Sequence, residues 1–136
     1  MNKKLLAALL SGFLFLSVGV LVAGDVPDEL MLDDKSYAKD IKGPVKFTHK
    51  KHSEDYKAAC TDCHHVYKDG KNVWKEGDPV QKCSECHDAD KTEGKVKKLN
   101  LAYHSNCKDC HKALAEEGKP TGPFKKCNDC HEAKAK

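Results

Sequence analysis

Cys60-Thr61-Asp62-Cys63-His64 is followed along the chain by Cys83-Ser84-Glu85-Cys86-His87, Cys107-Lys108-Asp109-Cys110-His111 and Cys127-Asn128-Asp129-Cys130-His131. These four copies of CxxCH use all 8 cysteines of the 136 residues. Intervals of 18, 19 and 15 residues separate them, too irregular for a solenoid and too short for each copy to fold alone. The copies therefore share one domain. Two thiols three apart on a turn can reach the two vinyl groups of one porphyrin, while the next residue drops its imidazole onto the iron. CxxCH is accordingly the attachment signature of c-type haem. Four motifs predict four covalent, thioether-linked haem c groups, bound by Cys60, Cys63, Cys83, Cys86, Cys107, Cys110, Cys127 and Cys130. Disulfides are one rival, with about a hundred possible connectivities for eight cysteines, but they leave the histidine after every second cysteine unexplained. Zinc is another, since 8 Cys and 8 His divide into four Cys2His2 sites. Adjacency argues against zinc, because neighbouring Cys and His would both have to ligate one tetrahedral ion.

The histidine count extends the argument. His64, His87, His111 and His131 supply one axial ligand per iron and leave His49, His52, His65 and His104. Four irons face four spare histidines, so all eight are candidate iron ligands rather than ordinary surface imidazoles. Methionine cannot compete: Met1 leaves with the leader described below, and Met31 alone serves one iron at most. Bis-histidine ligation without a thioether implies low reduction potentials, lowered further by solvent exposure in so small a shell. It also leaves no open position for substrate, which favours electron transfer without bond chemistry. His65 adjoins His64 and cannot turn back to the same iron, so it must serve another haem, and His49 and His52 are likewise expected to reach different irons.

The remainder of the chain explains why such cofactors are needed. Residues 1–24 begin with Lys3 and Lys4, continue as an apolar run from Leu5 to Phe15 and end in small residues through Gly24; this is the pattern of a secretory signal peptide. A membrane anchor is the weaker reading, because Leu5 to Val22 is marginal for the ~20 residues of a span. The 112 residues from 25 to 136 form the expected tetrahaem domain, with no membrane span, and hold only 14 Leu, Ile, Val and Phe, or 12.5%. That is well under the ~20% below which a chain struggles to bury a core. Disorder usually accompanies a large net charge, yet 22 Lys oppose 21 acids here. Haem faces must then fill the interior. Export to the periplasm makes nucleic-acid binding a poor use of the lysines.

The predicted fold is mostly irregular and small α: short helices and a minimal N-terminal strand pair wrapped around a four-haem core. Val45 and Phe47 alternate as in a short strand. Ser53, followed by Glu54 and Asp55, reads as the N-cap of a helix running through Ala58 and Ala59 towards His65. A second helix is expected from Asn106 to Glu117, closed by Gly118, and a final turn or two from Asn128 to Lys134. Lys68 to Lys82 and Asp88 to Lys98 read as polar loops, the first containing Trp74, which receives no role. Charge is uneven: residues 25–93 carry 12 Lys against 16 acids and residues 94–136 carry 10 against 5. Lys119, Lys125, Lys126, Lys134 and Lys136 crowd the fourth motif, which suggests a docking face for an acidic redox partner.

Val45-Lys46-Phe47-Thr48-His49-Lys50-Lys51-His52, the doubled His64-His65, Tyr103-His104 before the third motif and the four motifs in order together resemble the class III c-type cytochromes, the tetrahaem cytochrome c3 family of sulfate-reducing bacteria. The resemblance covers nearly all of residues 25–136. It implies that His49 pairs with His64, His65 with His87, His52 with His111, and His104 with His131. It also implies an aromatic near a haem at Phe47, which as a bare strand residue would simply face the core. Several family members use a longer CxxxxCH at the second and fourth haems, whereas all four motifs here are CxxCH, which suggests a subgroup. The resemblance further implies a monomeric, non-enzymatic carrier in sulfate respiration, passing electrons between a periplasmic hydrogenase and a membrane-associated cytochrome complex with proton uptake coupled to reduction. The competing functions are a multihaem reductase with an open haem site, and a metal-storage or structural protein without redox activity.

Overall fold

The computed structural model describes residues 27–134; the signal sequence expected at residues 1–24 lies outside them. Strand β1 (Leu30–Leu32) pairs antiparallel with β2 (Val45–Phe47), matching Leu30 to Phe47 and Leu32 to Val45. With a side-chain period of two, these apolar pairs share one face, while Met31 and Lys46 oppose each other on the other. Ion pairs from Lys46 to Glu29 (2.8 Å) and Lys50 to Asp28 (3.4 Å) flank the pair. The free edge of β2 receives the end of the chain. Val45 bridges His131, and the Glu132 amide donates to the Pro44 carbonyl at 2.9 Å.

Helical structure comes in short pieces. The helix expected from Ser53 to His65 is broken: Lys51–Asp55 forms one wide turn, Lys57 takes a left-handed φ of +55°, and α1 covers only Cys60–Cys63. Ser53 does not act as a cap, because its hydroxyl donates backwards to the Lys50 carbonyl at 3.1 Å. The Asp62 carboxylate instead accepts the Ala59 amide at 3.0 Å and organises the start of α1. The second helix starts earlier than expected, at α2 (Leu99–His104), and passes through a widened turn at Ser105–Asp109 into α3 (Cys110–Glu116). Gly118 closes it at φ +71°, as expected. Towards the end of the chain only Cys127–Asp129 turns, and the residues after it run extended along β2.

One supposed loop holds structure. Residues Tyr67–Lys68 (β3) and Lys71–Asn72 (β4) form a hairpin around Asp69 and Gly70, both at positive φ. Asp-Gly is the dipeptide such a two-residue turn requires. Among the described residues only Leu99, at 0% exposure, and Trp74, at 8%, are buried apolar side chains, whereas Ile41, Tyr67 and Val80 stay at least 60% exposed. No helix among the described residues is long and apolar enough to cross a membrane.

Candidate functional site

In three motifs the histidine amide donates to the carbonyl of the first cysteine: His64 to Cys60 at 2.8 Å, His87 to Cys83 at 2.9 Å and His131 to Cys127 at 2.8 Å. Each motif thus closes one helical turn, on which residues i, i+3 and i+4 lie on one face. Both sulfurs and the imidazole are thereby presented together. The local fold supplies the arrangement that covalent attachment needs.

The spare histidines come from three different settings: His49 and His52 follow β2, His65 follows His64 in extended chain, and His104 ends α2. Each meets a motif histidine. Ring centroids lie 6.1 Å apart for His49 and His64, 5.8 Å for His65 and His87, 6.2 Å for His52 and His111, and 6.5 Å for His104 and His131. Two metal–imidazole bonds of about 2 Å, plus about 1 Å from each ligating nitrogen to its ring centre, place trans imidazoles about 6 Å apart. All four pairs have that separation. His64 and His65 are sent to different partners because the backbone at His64 is extended, at ψ +130°, so successive side chains point to opposite sides.

Hydrogen bonds fix several rings. The Nδ1 atoms of His52, His87, His111 and His131 face the carbonyls of Thr48 (2.8 Å), Lys97 (2.6 Å), Pro123 (3.0 Å) and Gly43 (2.7 Å). A carbonyl can only accept, so Nδ1 carries a proton and Nε2 is the nitrogen left to face a metal. Burial, reinforced by the positive charge that His49 and His65 would carry, holds the His64 imidazole below its ordinary pKa, which favours the neutral form that can ligate a metal.

This donor set fits haem iron. Imidazoles converge in twos, and among the described residues no cluster of three or more His, Cys, Asp or Glu side chains could hold a metal unaided. Paired axial donors suit an iron whose equatorial ligands come from a macrocycle, and they do not suit tetrahedral zinc. The cysteines form no disulfides. Burial pushes the Cys107 thiol up to about 11, an environment hostile to a thiolate but compatible with a neutral thioether. A cavity of about 730 Å³ opens beside the first motif, lined by His49 and Cys60 among others. The Nδ1 of His49 is buried without a hydrogen-bond partner.

Aromatic side chains surround the imidazoles. Phe47 lies 4.7 Å from the His52 ring and 5.8 Å from that of His49, so it packs between two candidate ligands instead of serving only its strand. Trp74 packs against His64, with ring centroids 5.0 Å apart and the planes tilted by 34°. No local signal marks Trp74 in the sequence, because its partner lies across a hairpin whose polar residues carry no strand pattern. Of the lysines expected to form the docking face, Lys119 pairs with Glu117 (2.6 Å) and Lys134 with Asp40 (3.1 Å), while Lys125 leans over the Phe124 ring. Lys136 lies outside the described residues.

The class III cytochrome C family model matches residues 27–131, which include all four motifs and all eight histidines. The chain belongs to the class III cytochrome c family. Within that family it is 41% identical over 109 residues to the cytochrome c3 of Maridesulfovibrio salexigens, covering 74% of this chain and 91% of that one. The fold is similar to the di-tetraheme cytochrome c3 of Desulfovibrio gigas, with a TM-score of 0.56, 29% identity, and coverage of 80% of this chain and 99% of that one. It also resembles part of the high-molecular-weight cytochrome c of Desulfovibrio vulgaris (Miyazaki F). There the TM-score is 0.52 and the identity 26%, over 86% of this chain but 23% of the longer one. This class III cytochrome is a multihaem electron-transfer protein with four covalently bound c-type haems, its short helices and strand pairs wrapping the cofactors.

Proposed function

We propose that residues 25–136 form one domain in which the eight CxxCH cysteines carry the thioether bonds, and that the pairs His49–His64, His65–His87, His52–His111 and His104–His131 each ligate one iron. The observation carrying this reading is that every pair joins one motif histidine to one spare histidine at 5.8–6.5 Å. When bound, each haem supplies a one-electron ferric/ferrous couple. The chain's own part would be to hold two imidazoles in opposition for each haem, with Nδ1 contacts orienting at least one ring in three of the four pairs, and to leave no ligand position open to other molecules. That last duty favours a carrier over a reductase.

The pattern of residues 1–24 supports export to the periplasm. There the protein serves as a low-potential monomeric carrier between a hydrogenase and a membrane-associated cytochrome complex, with proton uptake linked to reduction. Mass spectrometry of the denatured holoprotein should show four haem additions, and near-infrared magnetic circular dichroism should show only bis-imidazole, low-spin iron. A high-spin iron that binds cyanide would replace this reading with the reductase.

A further inference from the structure

The four imidazole pairs are not supported alike. His52 and His111 both place Nδ1 against a carbonyl, and His87 and His131 each do so in their own pairs. Neither ring of the His49–His64 pair does, and the Nδ1 of His49 is sealed from any partner. Packing fixes this pair instead. Trp74, 8% exposed, lays its indole against the His64 ring. Asn72 seats the indole: its side-chain oxygen accepts the amides of Val66 (3.0 Å) and Trp74 (3.1 Å), while its side-chain amide donates to the His64 carbonyl at 3.1 Å. The indole N–H closes on the Pro79 carbonyl at 3.3 Å.

Two physical effects then act in one direction. A carbonyl accepting Nδ1–H makes an imidazole a stronger donor and favours the ferric state; this pair lacks that support. Apolar cover disfavours the more highly charged oxidised site, and the indole supplies that cover. Asp28, Glu54 and Glu76 line the adjoining cavity and oppose the trend, but these carboxylates are exposed and their effect is screened by water and salt. The missing hydrogen bond acts on the ligand itself.

We propose, building on the ligand pairs above, that the His49–His64 site has the highest reduction potential of the four, and that Trp74, seated by Asn72, is the positioning residue that keeps His64 oriented and dry. Stepwise reduction of the holoprotein with dithionite and mediators, followed by NMR with each haem's methyl signals assigned to its cysteines, gives the order of filling. The haem at Cys60 and Cys63 should take the first electron; a first electron on any other haem overturns the proposal. Trp74→Ala should lower the potential of that haem alone, and Trp74→Phe should largely restore it. An unmoved potential in Trp74→Ala, or an equal shift of all four, removes Trp74 from the role. Where Trp74→Ala does not mature, the order of filling in the wild-type protein decides. Near-infrared magnetic circular dichroism of the same samples tests the ligands separately: an iron that is not bis-imidazole defeats the pairing beneath the proposal, whatever the order.

Discussion

His104 ends α2 with an exposed ring and faces His131 at 6.5 Å. Replacing it with methionine should raise the potential of the fourth haem alone, by a fraction of the ~0.8 V span that axial ligands command. A redox titration in which all four potentials of His104→Met match wild type would make His104 an ordinary surface residue. Much at this scale was legible in the sequence. Four spare histidines matched four motifs, and the adjacency of His64 and His65 forced them onto different partners. Which ring meets which was not legible from spacing, because pairs such as His52–His111 are closed by the whole fold; that part came from family resemblance. Trp74 was silent for a similar reason, since its contact with His64 depends on the turn at Asp69 and Gly70.

Among the elements, the extended segment after Cys127–Asp129 is held along β2 by three contacts: His131 Nδ1 to the Gly43 carbonyl, the Glu132 amide to Pro44, and Lys134 to Asp40. A Cβ at Gly43 would land on the Glu132 carbonyl. Gly43→Ala should therefore push the segment away at a cost of roughly 1–3 kcal/mol, lowering the melting temperature and raising the fourth haem's potential as His131 loses its carbonyl. The Asp40 carboxyl is held below its ordinary pKa by hydrogen bonds from Lys134 and the Lys42 amide. A lowered folded-state pKa means that its contribution is full above the ordinary carboxylate range and disappears as pH falls through the depressed value. Hydrogen exchange at the Glu132 amide should accelerate over that acid window in wild type, and Asp40→Asn should abolish the pH dependence. The Val45–Phe47 strand was readable from its alternation. The break at Lys57 was not, because Ser53, Glu54 and Asp55 carry every local mark of a helix start and only the left-handed backbone at Lys57 ends it. The β3–β4 hairpin could have been read from Asp69-Gly70, but the polar residues around it carry no apolar alternation.

For the molecule as a whole, two buried apolar side chains among the described residues cannot offset the ~1–2 kcal/mol per residue of backbone entropy lost on folding. Protein made without haem attachment, or with every motif cysteine changed to alanine, should give a coil-like circular dichroism spectrum; a cooperative thermal transition would show that the polypeptide folds unaided. Overall charge makes a further forecast. With Lys119 and Lys134 engaged by acids, the steering expected near the fourth motif falls, among the described residues, to Lys125 and Lys126. Reversing both charges should slow electron transfer from an acidic partner several-fold at low ionic strength, and the difference should shrink near 0.1 M salt, where the Debye length is about 10 Å. Equal rates at low salt would place docking at the other three haems. The clasp between residues 40–45 and 131–134 also bears on biogenesis. The strand that receives His131 is made long before it, so the ring of contacts cannot close until the last motif has emerged. Until then the six thiols of the first three motifs remain on an open chain within reach of the attachment machinery. Closing of this clasp becomes a late event of maturation, and a chain that misses its fourth haem should stay unclasped and be cut more readily by proteases after Cys127.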